Sequence, residues 1–312
     1  MRIICAEQIN AVLDWTGVLE ALHRVHLGPR PSIGDFFLGD SAYGLFSRGV
    51  ILPGVGAGVK IASICPANLD ATPARPAEQA AFVVIDAHTK AITAICDGPA
   101  VTAWKTAADS ALAAQRLSRP DSEVLLVLGA GPVARSLTEA YLHIRPALRQ
   151  VLLWNRTLAK LDRYAAHLRA RGIEAIQVAD LDEAVARADI IVCATASSAP
   201  LIKGRLVRPG THVDLVGGFR PDMREADTDL VARARLYADD RPGALHSGDL
   251  LVPMQAGIIE PDCIEGDLFE ICSATTSLRT PADITLYKNA GGAHLDLTVC
   301  QHALRCIDAE KA

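Results

Sequence analysis

Residues 124–134 read VLLVLGAGPVA and residues 151–157 read VLLWNRT. The residue types and spacing of the first run suit a pyrophosphate. Gly129 allows a tight turn out of an apolar strand, and Gly131 lets backbone N–H groups approach phosphate oxygens. Small Ala134 lets the following helix pack on the sheet. Ala130, Pro132 and Val133 complete the turn, with Pro132 at a first-turn position where no N–H donor is needed. The N-terminus of that helix favours negative charge. The second run ends on Asn155, Arg156 and Thr157, where an NAD enzyme places a carboxylate for the ribose 2′-OH. Arg156 can pair with a 2′-phosphate, with Asn155 and Thr157 as neutral partners. The alternative is a solvated loop charge. The pattern predicts a dinucleotide site that prefers NADPH and takes NADH more weakly.

Four cations stand out in the N-terminal third. Lys60 lies in GAGVKIASI, Lys105 in TAWKTAADSALAA, Arg30 between two prolines, and Arg48 in GLFSRGVIL. Burying an unpaired ammonium is costly, so a lysine in an apolar strand needs a partner or a ligand. A substrate carboxylate would answer several of these charges at once. The bland alternative for Lys60 is an edge-strand lysine with its head in water.

The elements that must position these groups fall into two patterns. Residues 1–116 open with a short strand and a helix over 10–26. Strand-like runs follow at 44–52, 58–64, 81–86 and 91–96, then an alanine-rich helix over 102–117. That is an α+β unit. From residue 117 the pattern alternates: strands at 124–128, 151–154, 173–178, 190–194, 211–216 and 235–238, with helices at 135–143, 158–171 and 181–188. That is a Rossmann-type, doubly wound parallel sheet over 117–284. Residues 285–312, with a terminal helix whose apolar face needs a surface, are expected to return to the first domain.

Composition narrows the classes further. The 312 residues are 50% hydrophobic and 21% charged, with a net charge of −5, which describes a globular chain with room for two domains. No basic run with interleaved aromatics supports nucleic-acid binding. No apolar run reaches membrane-spanning length, and the start MRIICAEQIN lacks a signal-peptide layout. The eight cysteines are scattered without a CxxC, so they read as reduced core residues of a cytoplasmic protein, with no metal site.

Six separated motifs resemble the ornithine cyclodeaminase/mu-crystallin family: GVKI with a later P-x-N, DAHTK, CDGPAVTAWKTAADSALAA, LGAGPVA, VGGFRPDMRE and DITLYKNAGGA. The resemblance covers nearly the whole chain. It implies a homodimer joined through the first domains and a small-molecule substrate. It implies that Arg30 and Lys60 hold a substrate carboxylate, with Arg48 a rival to Arg30. By the same resemblance Lys105, standing where the family has an arginine, is a third group for that carboxylate, keeping the charge and losing the bidentate fork. By the same resemblance Thr195, Ala196 and Ser197, then Val216 and Gly217, then Lys288, Asn289 and Gly291 contact the cofactor; Lys288 is otherwise a surface charge. Cyclodeaminases carry an aspartate where this chain has Phe219, within Gly217-Gly218-Phe219-Arg220-Pro221-Asp222-Met223-Arg224-Glu225. A phenyl ring cannot act as a base, so either Phe219 binds a different substrate, or it only packs at a strand end and another acid, Asp109 or Asp222, takes the role. The form of this segment is similar to that of the ketimine reductases. The activity implied is NADPH-dependent reduction of a cyclic imino acid: Δ1-pyrroline-2-carboxylate to L-proline, and Δ1-piperideine-2-carboxylate to L-pipecolate. Lys60 or a bound water would donate the proton. The alternatives are an NAD-dependent ornithine cyclodeaminase and a mu-crystallin-like NADP-dependent binding protein for a small ligand.

Overall fold

The chain begins with β1 (Arg2–Ile4), α1 (Ala6–Val12) and α2 (Trp15–His26) in the computed structural model, which describes residues 1–40, 42–73 and 75–311. The sequence pattern predicts one helix over 10–26; the structure breaks it before Asp14. Asp14 takes an extended backbone, and its carboxylate accepts the Gly17 N–H at 2.8 Å, satisfying a first-turn donor that no helix carbonyl reaches.

A meander of β2 (Ser32–Gly39), β3 (Gly44–Leu52), β4 (Gly56–Ile64), β5 (Glu78–Asp86) and β6 (Ile92–Asp97) follows. It forms a six-stranded sheet in the order β1-β6-β5-β4-β3-β2, antiparallel except for β1 on β6. Strand β2 escaped the sequence reading. It is exposed along its whole length, so it carries no buried-face alternation to betray it. Because β4 is flanked on both sides, Lys60 is not an edge-strand lysine. Register places Asp35, Arg48, Lys60 and Phe82 in one row across four strands. That row lies on the face that also buries Val50, Ala62, Val84 and Ala94. The opposite face leaves Ile3, Phe36, Leu38, Ile51 and Ile61 exposed.

Helix α3 (Gly98–Leu117) leads to β7 (Val124–Leu128), α4 (Pro132–Ile144) and β8 (Gln150–Trp154). The helix expected over 158–171 is a 3-10 turn, Leu158–Leu161, followed by α5 (Asp162–Ala170). Then come β9 (Glu174–Gln177), α6 (Leu181–Arg187), β10 (Ile190–Cys193), β11 (His212–Leu215), α7 (Thr228–Arg233) and β12 (Arg235–Ala238). The chain continues through α8 (Arg241–Leu245), α9 (Gly248–Gln255), β13 (Ile264–Asp267), α10 (Leu268–Ser273) and β14 (Thr285–Lys288). The eight strands order as β13-β12-β14-β11-β10-β7-β8-β9, all parallel. This is the doubly wound α/β sheet read from the sequence. Its reversal point lies between β7 and β10, where such sheets bind ligands beyond their carboxyl ends.

Contacts divide the chain into two units, Thr106–Gly291 and Met1–Lys105 with Gly292–Ala312. This corrects the expected return to the first domain at residue 285. Thr285–Lys288 is a Rossmann strand, pairing Thr285 with His212 on one side and with Arg235 on the other. A four-residue strand buried at every position has no alternation by which to be told from a loop next to a helix. The second half of α3 likewise belongs to the Rossmann unit rather than to the first. Helix α11 (Ala293–Ala309) does return, packing on α2, β3, β4 and β5 with Leu295, Val299, Ala303 and Ile307 buried.

All eight cysteines are free; Cys96, Cys193 and Cys300 are buried, four are half-buried and Cys5 is exposed. Among the described residues no helix is long and apolar enough to cross a membrane. The Asp14 cap yields a simple test. Asp14→Ala should cost about 1 kcal/mol of stability, read as a Tm lowered by about 2 °C. An unchanged Tm would show that α2 does not depend on this cap.

Candidate active site

The exit of β7 is built around two glycines with different constraints. Gly129 has φ +119°, its N–H donates to the Trp154 carbonyl at 2.9 Å, and a Cβ there would lie 2.5 Å from the Ala194 carbonyl oxygen. Only glycine meets both demands. Gly131 caps α4 and has nothing within 4 Å of where a Cβ would stand. The space before the helix N-terminus is therefore open to a phosphate, while Ala130 and Val133 are half-buried beside it. Pro132 is the first residue of α4, as its missing N–H requires. At the tip of β8, Asn155 Nδ2 donates to the Thr157 carbonyl at 2.8 Å and shapes the turn. Arg156 and Thr157 are exposed, and Arg156 makes no ion pair among the described residues.

The tips of β10 and β11 are tied together by one carboxylate, that of Glu225. Thr195 donates to Glu225 Oε1 from its N–H at 2.7 Å and from its hydroxyl at 2.9 Å. Gly217 and Gly218 donate to Glu225 Oε2 at 2.7 and 3.3 Å. Glu225 is fully buried, and burial pushes its carboxyl above the usual range while Lys288 opposes the shift. Ser197 takes the Arg224 N–H at its carbonyl, and Ala196 beside it is exposed. Val216 donates to the Cys193 carbonyl at 2.9 Å, tying the two strands.

The structure corrects the placing of Lys288. Lys288 is neither a loop residue nor a surface charge: it ends β14, is fully buried, and donates to the Leu215 carbonyl at 3.1 Å and to Asp249 Oδ2 at 3.4 Å. Asn289 is also buried, donating to the Thr106 carbonyl and to Ser110 Oγ, both at 3.0 Å. Gly291 has φ +80° and gives its N–H to Asp239 at 2.6 Å. Glu225, Asp249 and Asp239 escaped the sequence reading. Each is a carboxylate collecting backbone N–H groups from a distant turn, and nothing in local spacing marks such a role.

Both acids named as substitutes for an aspartate at position 219 have partners within the fold. Asp109 is buried and takes the Tyr287 hydroxyl at 2.6 Å; Asp222 is exposed and paired with Arg220 at 2.8 Å. Asp214, buried in β11, is pushed up to about 7 by burial and takes the Tyr141 hydroxyl at 3.1 Å. Phe219 is 59% exposed, so it does not serve as packing at the strand end.

In the first unit Lys60 points its ammonium at Thr102 Oγ1, 3.1 Å away, and at Glu78, 3.6 Å away. Arg48 is held by Asp35 at 2.9 Å and lies over the Phe46 ring. Arg30 is exposed, two residues before β2. Lys105 is buried against buried Asp296 at 3.3 Å, so its charge is answered within the fold. The structure brings Lys60 and Arg48 side by side and sets Lys105 in a pair of its own.

Comparison with known proteins fits these features. A model of the ornithine cyclodeaminase/mu-crystallin family matches residues 53–305. The chain is 41% identical over 297 residues to Δ1-pyrroline-2-carboxylate reductase of Paracoccus denitrificans (strain Pd 1222), covering 95% of this chain and 93% of that one. It is 34% identical over 230 residues to the ketimine reductase mu-crystallin of Rattus norvegicus, covering 72% and 69%. The solved Δ1-pyrroline-2-carboxylate reductase of Thermococcus litoralis, in complex with NADH and L-proline, superposes with a TM-score of 0.93 at 26% identity, over 100% of this chain and 99% of that one. The chain belongs to the ornithine cyclodeaminase/mu-crystallin family.

The Lys105–Asp296 pair makes a sharp prediction. Asp296→Asn leaves a buried ammonium unanswered and should cost about 3 kcal/mol in urea unfolding. A variant as stable as the parent would show that the ammonium finds its partner elsewhere.

Proposed function

We propose that this chain is an oxidoreductase that reduces Δ1-pyrroline-2-carboxylate to L-proline with NADPH and accepts Δ1-piperideine-2-carboxylate as a second substrate, giving L-pipecolate. The observation that carries this reading is the 41% identity, over 95% of the chain, to the Paracoccus denitrificans protein of that name. The L-proline and NADH held by the Thermococcus litoralis relative are the product and cofactor class such a reaction needs. Preference for NADPH rests on Arg156, an exposed cation at the β8 tip where an NAD enzyme carries an acid.

The residues divide the work. The Gly129–Gly131 turn and the α4 N-terminus hold the pyrophosphate, and Arg156 with Thr157 holds the 2′-phosphate. The nicotinamide, when bound, supplies the hydride. Arg30 and Lys60 fix the substrate carboxylate, which orients the C=N carbon. Lys60 or a water beside it gives the proton that makes the ring nitrogen an amine. Phe219 offers a broad apolar surface to the ring carbons without asking for a polar partner. The same ring counts against ornithine deamination, which needs a base beside the amine.

A homodimer is part of this proposal. Ile3, Phe36, Leu38, Ile51 and Ile61, all on one face of the six-stranded sheet, are 45–78% exposed. A soluble chain rarely leaves so contiguous an apolar face open to water, and a second copy would cover it. The free cysteines suit a reducing cytoplasm.

Three measurements test the reading. Arg156→Ala should weaken NADPH by about 2 kcal/mol in kcat/KM and leave NADH nearly unchanged; equal losses with both cofactors would make the residue structural. Lys60→Ala should lower kcat/KM for the imino acid by about a hundredfold or more with NADPH still bound, whereas near-normal turnover would remove Lys60 from the site. In light scattering the parent should have twice the chain mass and Ile61→Asp the mass of one chain; a monomeric parent ends the dimer proposal.

A further inference from the structure

We infer that Glu225 is a positioning residue for both ligands: its one carboxylate fixes the loop that presents Phe219 and, with it, the turn that receives the cofactor. The inference rests on the proposed reading of those two sites.

Residues 217–225 leave β11 and come back to where they started. Gly217 and Gly218, at the start of the segment, donate to Oε2 of Glu225, at its end. The other oxygen takes both Thr195 donors at the exit of β10. A second tie, from the Arg224 N–H to the Ser197 carbonyl at 2.9 Å, holds the returning strand against the same turn. The middle of the loop is pinned as well. Gly248 donates to the Arg220 carbonyl at 3.0 Å, and a Cβ on Gly248 would collide with the Pro221 and Met223 carbonyls. Phe219 thus sits between two fixed backbone points, Gly218 and Arg220, and gives its own N–H to the Gly217 carbonyl at 3.0 Å. Its ring is exposed while its backbone is not free to wander. Approach at the strand tips is close: a Cβ on Gly217 would overlap the Thr195 carbonyl.

The geometry demands a carboxylate. Every partner of the two oxygens is a donor, so both must accept. A glutamine of the same shape can accept through one atom only. Its amide N–H₂ would face N–H groups at one strand tip, and the staple would open on that side.

Glu225→Gln is therefore the test. Expected are a Kd for NADPH, by fluorescence, and a KM for Δ1-pyrroline-2-carboxylate each raised about tenfold, with kcat within about threefold of the parent. A merely structural role would lower Tm and leave Kd and KM alone, and that result overturns the inference. A double-mutant cycle adds a second reading. Phe219→Ala should raise KM about tenfold in the parent but about threefold or less in Glu225→Gln, because the loop is already unpinned. Full additivity overturns the coupling. If Phe219→Ala alone leaves KM unchanged, the assignment of Phe219 to the substrate falls, and the inference then stands or falls on the NADPH Kd. Should Glu225→Gln fail to fold, Thr195→Val removes only the hydroxyl donor; a Kd for NADPH raised about threefold supports the role, and an unchanged Kd overturns it.

Discussion

A lysine ammonium out of reach of water constrains the carboxyl end of the parallel sheet. Lys288 ends β14, between β11 and β12, with no exposed surface. Removing such a charge from water costs several kcal/mol unless its geometry with a partner is good. Asp249 answers it at 3.4 Å, and the Leu215 carbonyl at 3.1 Å. The other oxygen of Asp249 takes the N–H groups of Glu225 and Ala226 at 2.7 and 3.1 Å. Glu225 in turn binds the tips of β10 and β11. The buried ammonium, two carboxylates and two strand ends form one connected network. Loosening a link exposes the next buried charge, so the tips are held more firmly than loop backbone alone would hold them.

Features carried by short-range physics were legible in the sequence. Strands 124–128 and 235–238 end where the all-apolar runs end, and the Gly129 turn falls where glycine spacing demands it. The row of Lys60 with Arg48 was half-legible: both residues stood out as charges in apolar strands, but register, which sets them side by side, is a long-range fact. What could not be read was decided by tertiary partners. Lys288 looks like a loop lysine because Asp249, 39 residues away, supplies the reason to bury it. Glu225 looks like one more charge in RPDMRE until the chain folds back on Thr195. Strand β14 reads as the approach to a helix because its sheet partners come from β11 and β12.

The cations of the first unit are not equally able to receive a ligand, and the difference is one of exchange. For Lys60 the ion-pair partner is Glu78 at 3.6 Å, with that carboxylate side chain 50% exposed. A ligand carboxylate that displaced Glu78 would return it to water at little cost, since an exposed ion pair is worth on the order of 1 kcal/mol or less. Lys105 is different. Its partner Asp296 is buried, with side chains 5% and 3% exposed, and displacement would leave that carboxylate without a counter-charge or solvent. Arg48 stands between these cases, since Asp35 on the exposed strand β2 can give way. A carboxylate from solution would therefore displace the partner of Lys60 more readily than that of Lys105. The compact ammonium of Lys105 suits its pair with Asp296, because it needs one close carboxylate where a planar guanidinium fork would reach for two oxygens at once.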